Sequence, residues 1–215
     1  MFLIIKSLNL NHSGGFYPYT VHFNKTDKLC NGLTPLQRYL KDMFTSCPNQ
    51  FFNGGPRSSA LKFKVPFDMI EVQGHEVSQL AKLGLEENSK RYSSNHLKVQ
   101  YFMLENDDKT VAIEIPLWSQ HDEIPDFVNI FNTIQPLTGH IDVLRVENDN
   151  VWVWDYKPNA LKEKYASTQV YFYALMLSNR TRIPLDKMRC GYFDSNYAFM
   201  FKPRAIKLET NAKLI

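Results

Sequence analysis

Cysteine is scarce in this sequence. The 215 residues hold three, Cys30, Cys47 and Cys190, and no two form a C-x-x-C pair. An odd, scattered set builds neither a disulfide framework nor a structural zinc site, so an intracellular, reducing setting is the default expectation. No apolar run approaches the ~20 residues of a membrane span. Met1–Lys6 has neither a basic start nor a small-residue cleavage site and does not read as a secretory signal. Net charge is low at +3, which permits a nucleic-acid partner without arguing for one. There is no internal repeat and no low-complexity tract.

What the chain does have is bulk. Apolar residues make up 44%, with 15 Phe, 11 Tyr and 3 Trp, enough to fill a core and to exclude disorder. The length suits one domain, or one domain with an elaboration. Residues 2–10 and 17–23 read as strands. Thr34-Pro35 opens a helix that Cys47-Pro48 closes, and Asn53-Gly54-Gly55-Pro56 is the clearest loop. These features suggest an elaboration over 1–70, a core over 71–203 and a tail over 204–215. Within the core, 61–65 marks the approach as a possible strand, and Val77, Leu80, Ala81 and Leu85 give one face of a helix starting near His75. Residues 97–104 and 111–118 read as a hairpin, and 119–138 as a loop-like insertion. A helix over 165–178 and a hairpin of 188–193 with 197–201 follow. Mixed strands and helices predict an α/β fold with a central mixed β-sheet flanked by helices.

The chemistry concentrates between Gly139 and Tyr173. Asp142 lies in an apolar strand, Glu147-Asn148-Asp149-Asn150 forms a turn, and Val151–Lys157 is a second strand stopped by Pro158. Folding this hairpin brings Asp142 beside Asp155, and Lys157 shares the face of Asp155. Two readings fit: an ion pair closing a strand end, or a site for a hard divalent cation held by carboxylate oxygens, with the lysine placed to stabilise charge on a phosphate. Glu114, flanked by Ile113 and Ile115, either faces solvent or is held for chemistry. Gln169 and Tyr173, four apart on a helix, share a face.

In order and spacing, Gly139-x-x-Asp142, Asp155-Tyr156-Lys157 and Gln169-x-x-x-Tyr173 resemble the PD-(D/E)XK nuclease superfamily, and within it the RecB-like exonuclease branch. The resemblance covers about 73–203 and implies a restriction-endonuclease-like core and a Mg²⁺- or Mn²⁺-dependent nuclease acting on DNA. It implies Asp142, Asp155, Lys157 and Glu114 (in Glu114-Ile115-Pro116) as the catalytic group. The metal would be held by Asp142, Asp155, Glu114, the Tyr156 carbonyl and His75, the last resembling a helix-opening histidine of the family; His96 is the competing candidate. Gln169 and Tyr173 would contact the nucleic-acid backbone near the cleft and steady the metal-site strands. The branch works in DNA repair, recombination or replication, which leaves room for a second copy of the chain, or a helicase or recombination protein, as partner. Iron–sulfur relatives need three cysteines beyond the catalytic motifs. Only Cys190 lies there, so no such cluster is expected. Rival expectations are a nuclease fold whose catalysis has lapsed into nucleic-acid binding, and a hydrolase of small phosphoesters.

Overall fold

The computed structural model describes residues 4–13 and 15–208. Eight strands form one sheet: β1 (Ile5–His12), β2 (Gly15–His22), β3 (Ile70–Gln73), β4 (Thr110–Ser119), β5 (Leu137–Glu147), β6 (Asn150–Tyr156), β7 (Met188–Phe193) and β8 (Tyr197–Phe201). Their spatial order is β1-β2-β4-β5-β6-β7-β8-β3. Only β6 and β7 run parallel; every other neighbour is antiparallel. The sheet is therefore mixed, as its sequence pattern predicts.

The parallel pair needs a crossover, and a helix over Ala166–Thr181 supplies it. This helix is apolar nearly all round, with Val170, Phe172, Ala174, Met176 and Leu177 all buried. Such a helix can only sit inside a core. It shares one face of the sheet with a helix over Thr34–Ser46, whose Leu36 and Leu40 are fully enclosed. The other face is covered by helices over Glu76–Glu87 and Asn95–Asn106. Numbered along the chain the helices are α1 (Phe23–Leu29), α2 (Thr34–Ser46), α3 (Glu76–Glu87), α4 (Asn95–Asn106), α5 (Phe127–Phe131) and α6 (Ala166–Thr181). None is long and apolar enough to cross a membrane, among the described residues.

Three expectations are corrected. Residues 97–104 are helical rather than the first strand of a hairpin: Val99, Phe102 and Met103 point inward at helical spacing, and Gly84 of α3 lets α4 approach so closely that a Cβ there would meet Phe102 Cβ at 2.9 Å. Residues 61–65 form no strand and bend at Phe63, and the strand in this region is the short β3, which pairs with β8. Residues 119–138 are not all loop, since they carry α5 and the start of β5. The N-terminal hairpin extends the same sheet through Thr20↔Ile113 and Val21↔Ala112. Phe2 and Leu3 of the first expected strand, and 209–215 of the expected tail, lie outside the described residues.

Candidate active site

Three carboxylates sit at one level across three neighbouring strands. The β5–β6 ladder ends at Val143↔Trp154, one step short of placing Asp142 opposite Asp155. There the Tyr156 N–H donates to Asp142 Oδ2 at 2.9 Å, so a side chain takes over where backbone pairing stops. The β4–β5 ladder pairs Ile113↔Val143 and Ile115↔Ile141 and skips Glu114 with Asp142 between them. Glu114 has φ 52°, a left-handed value that costs a non-glycine residue on the order of 1–3 kcal/mol. Across this kink Ile113 packs on the α4 side while Ile115 packs on the α6 side. The strand turns over at the residue that delivers the carboxylate.

Asp155, 1% exposed, is held by a closed ring of polar groups. Lys157 Nζ lies 2.7 Å from Asp155 Oδ2 and donates to Gln169 Oε1 at 3.0 Å. Gln169 Nε2 donates to Asp155 Oδ1 at 2.9 Å and to the Tyr173 hydroxyl at 2.8 Å. Tyr173 in turn rests against Gly139, where a Cβ would fall 2.3 Å from the ring. Both ends of the motif are thereby explained: the glycine leaves space for the tyrosine that positions the glutamine that holds the aspartate. Glu114 Oε1 accepts from Gln100 Nε2 of α4 at 2.7 Å.

The electrostatics are those of a carboxylate cluster short of positive charge. Burial, reinforced by Asp155, raises the Glu114 carboxyl to about 7. Burial, then Asp155 and Glu114, pushes Asp142 well above the usual carboxylate range. For Lys157, burial alone would lower the pKa, but Asp155 and Asp142 together outweigh it and raise it. Lys157 thus stays charged.

These side chains line a cleft of about 290 Å³ together with Tyr17, Arg57, Ser59, His96 and His140. His75 is absent from it, which corrects the expectation that it joins Asp142 and Asp155. Its Nδ1 accepts from the Val77 N–H and caps α3 at 3.2 Å. Its ring lies by Trp154, on the face of β6 turned away from Asp155 and α6. His96 is the histidine at the cluster, Nε2 at 3.8 Å from Asp142 Oδ2. Burial lowers its pKa, and a neutral imidazole is the ligand form. Gln100, Tyr17, Arg57 and His140 escape sequence reading. Gln100 was hidden by taking its segment for a strand, and Arg57 lies 85 residues before Asp142. His140 alone carried a signal, two positions before Asp142 on the same strand.

The donors suit a hard divalent ion. They are carboxylate oxygens, and Asp155 Oδ2 is buried and accepts no well-aligned hydrogen bond despite its closeness to Lys157 Nζ. Among the described residues, however, no three His, Cys, Asp or Glu side chains already stand at mutual ligand spacing. The chemistry is assembled, while Lys157, Gln169 and Gln100 occupy part of it.

A mixed sheet between helices, with three acids and a lysine on adjacent strands, defines a nuclease-type α/β domain. The family profile of the PD-(D/E)XK nuclease superfamily matches residues 71–212, well over half of the chain, and the chain belongs to that superfamily. No curated protein and no solved structure matches it.

Proposed function

We propose that the chain is a Mg²⁺- or Mn²⁺-dependent deoxyribonuclease of the RecB-like exonuclease branch. The observation that carries this reading is the convergence of Glu114, Asp142 and Asp155 with Lys157 in one cleft. Asp142, Asp155 and Glu114 would hold the ion, with His96 in the place expected of His75 and the Tyr156 carbonyl beside them. A bound divalent ion supplies Lewis acidity there, lowering the pKa of water and screening phosphate charge. The protein's own groups do the rest. Lys157, fixed by Asp155 and Gln169, orients the attacking water and neutralises charge on the phosphate oxygens. Gln169 holds Asp155 and Tyr173 supports Gln169, which steadies the metal-site strands, and both also line the cleft where the nucleic-acid backbone would pass. The ordered Gly-x-x-Asp, Asp-x-Lys and Gln-x-x-x-Tyr motifs support the RecB-like assignment. An intracellular role in DNA repair, recombination or replication goes with it.

Digestion of end-labelled linear, nicked and closed circular DNA with Mg²⁺, Mn²⁺ or EDTA tests this. Loss of label from linear DNA, resistance of the closed circle and silence in EDTA are expected. Intact DNA in every metal-containing lane would overturn the assignment, and degradation of the closed circle would replace the exonuclease by an endonuclease.

A further inference from the structure

We infer that Tyr17 and Arg57, from the N-terminal segment outside the family match over 71–212, form the phosphate-binding wall of the cleft, with Arg57 as the group that grips the strand. This deepens the nuclease reading and rests on it.

Charge comes first. Three carboxylates face two cations in the cleft, Lys157 and Arg57. Lys157 is already committed to Asp155 at 2.7 Å, whereas Arg57 enters no ion pair among the described residues. With all three acids ionised the cleft carries one net negative charge. A divalent ion converts that to one net positive charge, the complement of a single phosphodiester. Arg57 is the cation left to meet it, and its planar fork suits phosphate oxygens better than a point charge does.

The second observation is that this arginine is held in position. It donates to the Ser13 carbonyl and to the Tyr17 hydroxyl, and its guanidinium carbon lies 5.3 Å from the centre of the Tyr17 ring. Tyr17 stacks on His140 with centroids 3.7 Å apart and planes within 5°. His140, 4% exposed, meets His12 through Nε2 at 2.8 Å. His12 is fixed by Asn49 at 2.8 Å and by stacking on Phe52. Two stacked ring pairs, joined by the His12–His140 hydrogen bond, therefore lead from Phe52 to Arg57, drawn from the N-terminal segment and anchored on the strand that carries Asp142. The loop before Arg57 is fastened to the same strand, since the Thr138 N–H donates to the Pro56 carbonyl at 3.0 Å. A long flexible cation on a surface does not receive so many supports by default. Arg57 is thus a substrate-binding residue, and Tyr17 is a positioning residue acting through it.

The test uses the full chain. Cleavage of single-stranded and duplex DNA is compared for wild type, Arg57→Ala, Arg57→Lys and Tyr17→Phe, with thermal melts as folding controls. Arg57→Ala should raise KM on the order of tenfold to a hundredfold, the effect of one lost charge-assisted contact, with a smaller change in kcat. Arg57→Lys should recover part of that loss, and Tyr17→Phe should lose activity without losing stability. Binding is then read for the Lys157→Ala protein, with and without Arg57→Ala, on fluorescent oligonucleotides in Ca²⁺ across a salt series. Loss of one phosphate contact should flatten the log–log salt slope by about 0.7–0.9, which a purely structural residue would not do. Unchanged KM and salt slope in folded Arg57→Ala, while wild type cuts DNA, would overturn this inference and leave the nuclease standing. Wild-type protein that neither cuts nor binds nucleic acid would overturn both.

Discussion

Lys157, Asp155, Gln169 and Tyr173 act as one unit, because each is held in place by ion pairing or hydrogen bonding with the next. Removing any member leaves a buried polar group unmatched, so effects will exceed a single contact. Lys157→Ala and Asp155→Ala should each lower kcat by ~10²–10³-fold or more, with some loss of stability from the unmatched buried partner but a cooperative melt; near wild-type cleavage by a folded Lys157→Ala protein would remove the mechanism. Gly139→Ala should act at a distance. Its new Cβ displaces Tyr173, so activity should fall about tenfold or more, with about 1–3 kcal/mol lost from stability as in other overpacked cores; steady-state kinetics beside a denaturant melt checks both. The Asp142, Asp155, Lys157, Gln169 and Tyr173 pattern was legible because hairpin pairing and helix periodicity fix it locally. The histidine was not: His75 and His96 both open helices, and which of them reaches Asp142 depends on the face of the sheet each helix covers.

At the scale of elements, the α3–α4 layer depends on a buried charge network on the side of the sheet away from the cleft. Arg145, 1% exposed, donates through Nε to Asp107 Oδ2 at 2.8 Å and through a terminal nitrogen to Glu76 Oε2 at 2.9 Å. It ties β5 to the ends of both helices. Arg145→Met should cost on the order of 3–5 kcal/mol, because it leaves Asp107 buried without its partner. Urea titration should show that loss, while kcat of the folded fraction stays near wild type; a loss below about 1 kcal/mol would mean that the network is dispensable. Reading 97–104 as a strand failed on this layer. The segment alternates well enough to imitate one, and only docking against Gly84 decides for a helix. Helices α2 and α6, by contrast, declared themselves through Thr34-Pro35 and an unbroken apolar face.

For the whole molecule, the burial of Glu114 and Asp142 in one cleft couples stability to pH, and a metal bound there would couple it to metal. The Glu114 carboxyl rises from an ordinary 4.5 to about 7 on folding. A group raised in this way binds its proton more tightly folded than unfolded, so its contribution is intact below about 4.5 and declines as pH climbs to about 7. A Mg²⁺ ion held by the ionised acids would offset the decline. Melting curves with Mg²⁺ or EDTA from about pH 5 to pH 8 should therefore show a metal-induced gain in Tm that grows with pH; a pH-independent gain would contradict this coupling. At this scale the single mixed sheet was legible, but the joining of the N-terminal hairpin to β4 was not, since two pairings made across some ninety residues leave no local trace. The account stands on a divalent ion bound among Glu114, Asp142 and Asp155. Anomalous scattering from a Mn²⁺-soaked crystal measures that directly: a peak within ligand distance of those carboxylates, close to His96 and far from His75, is predicted, and a cleft without one, or a peak at His75 instead, would contradict it.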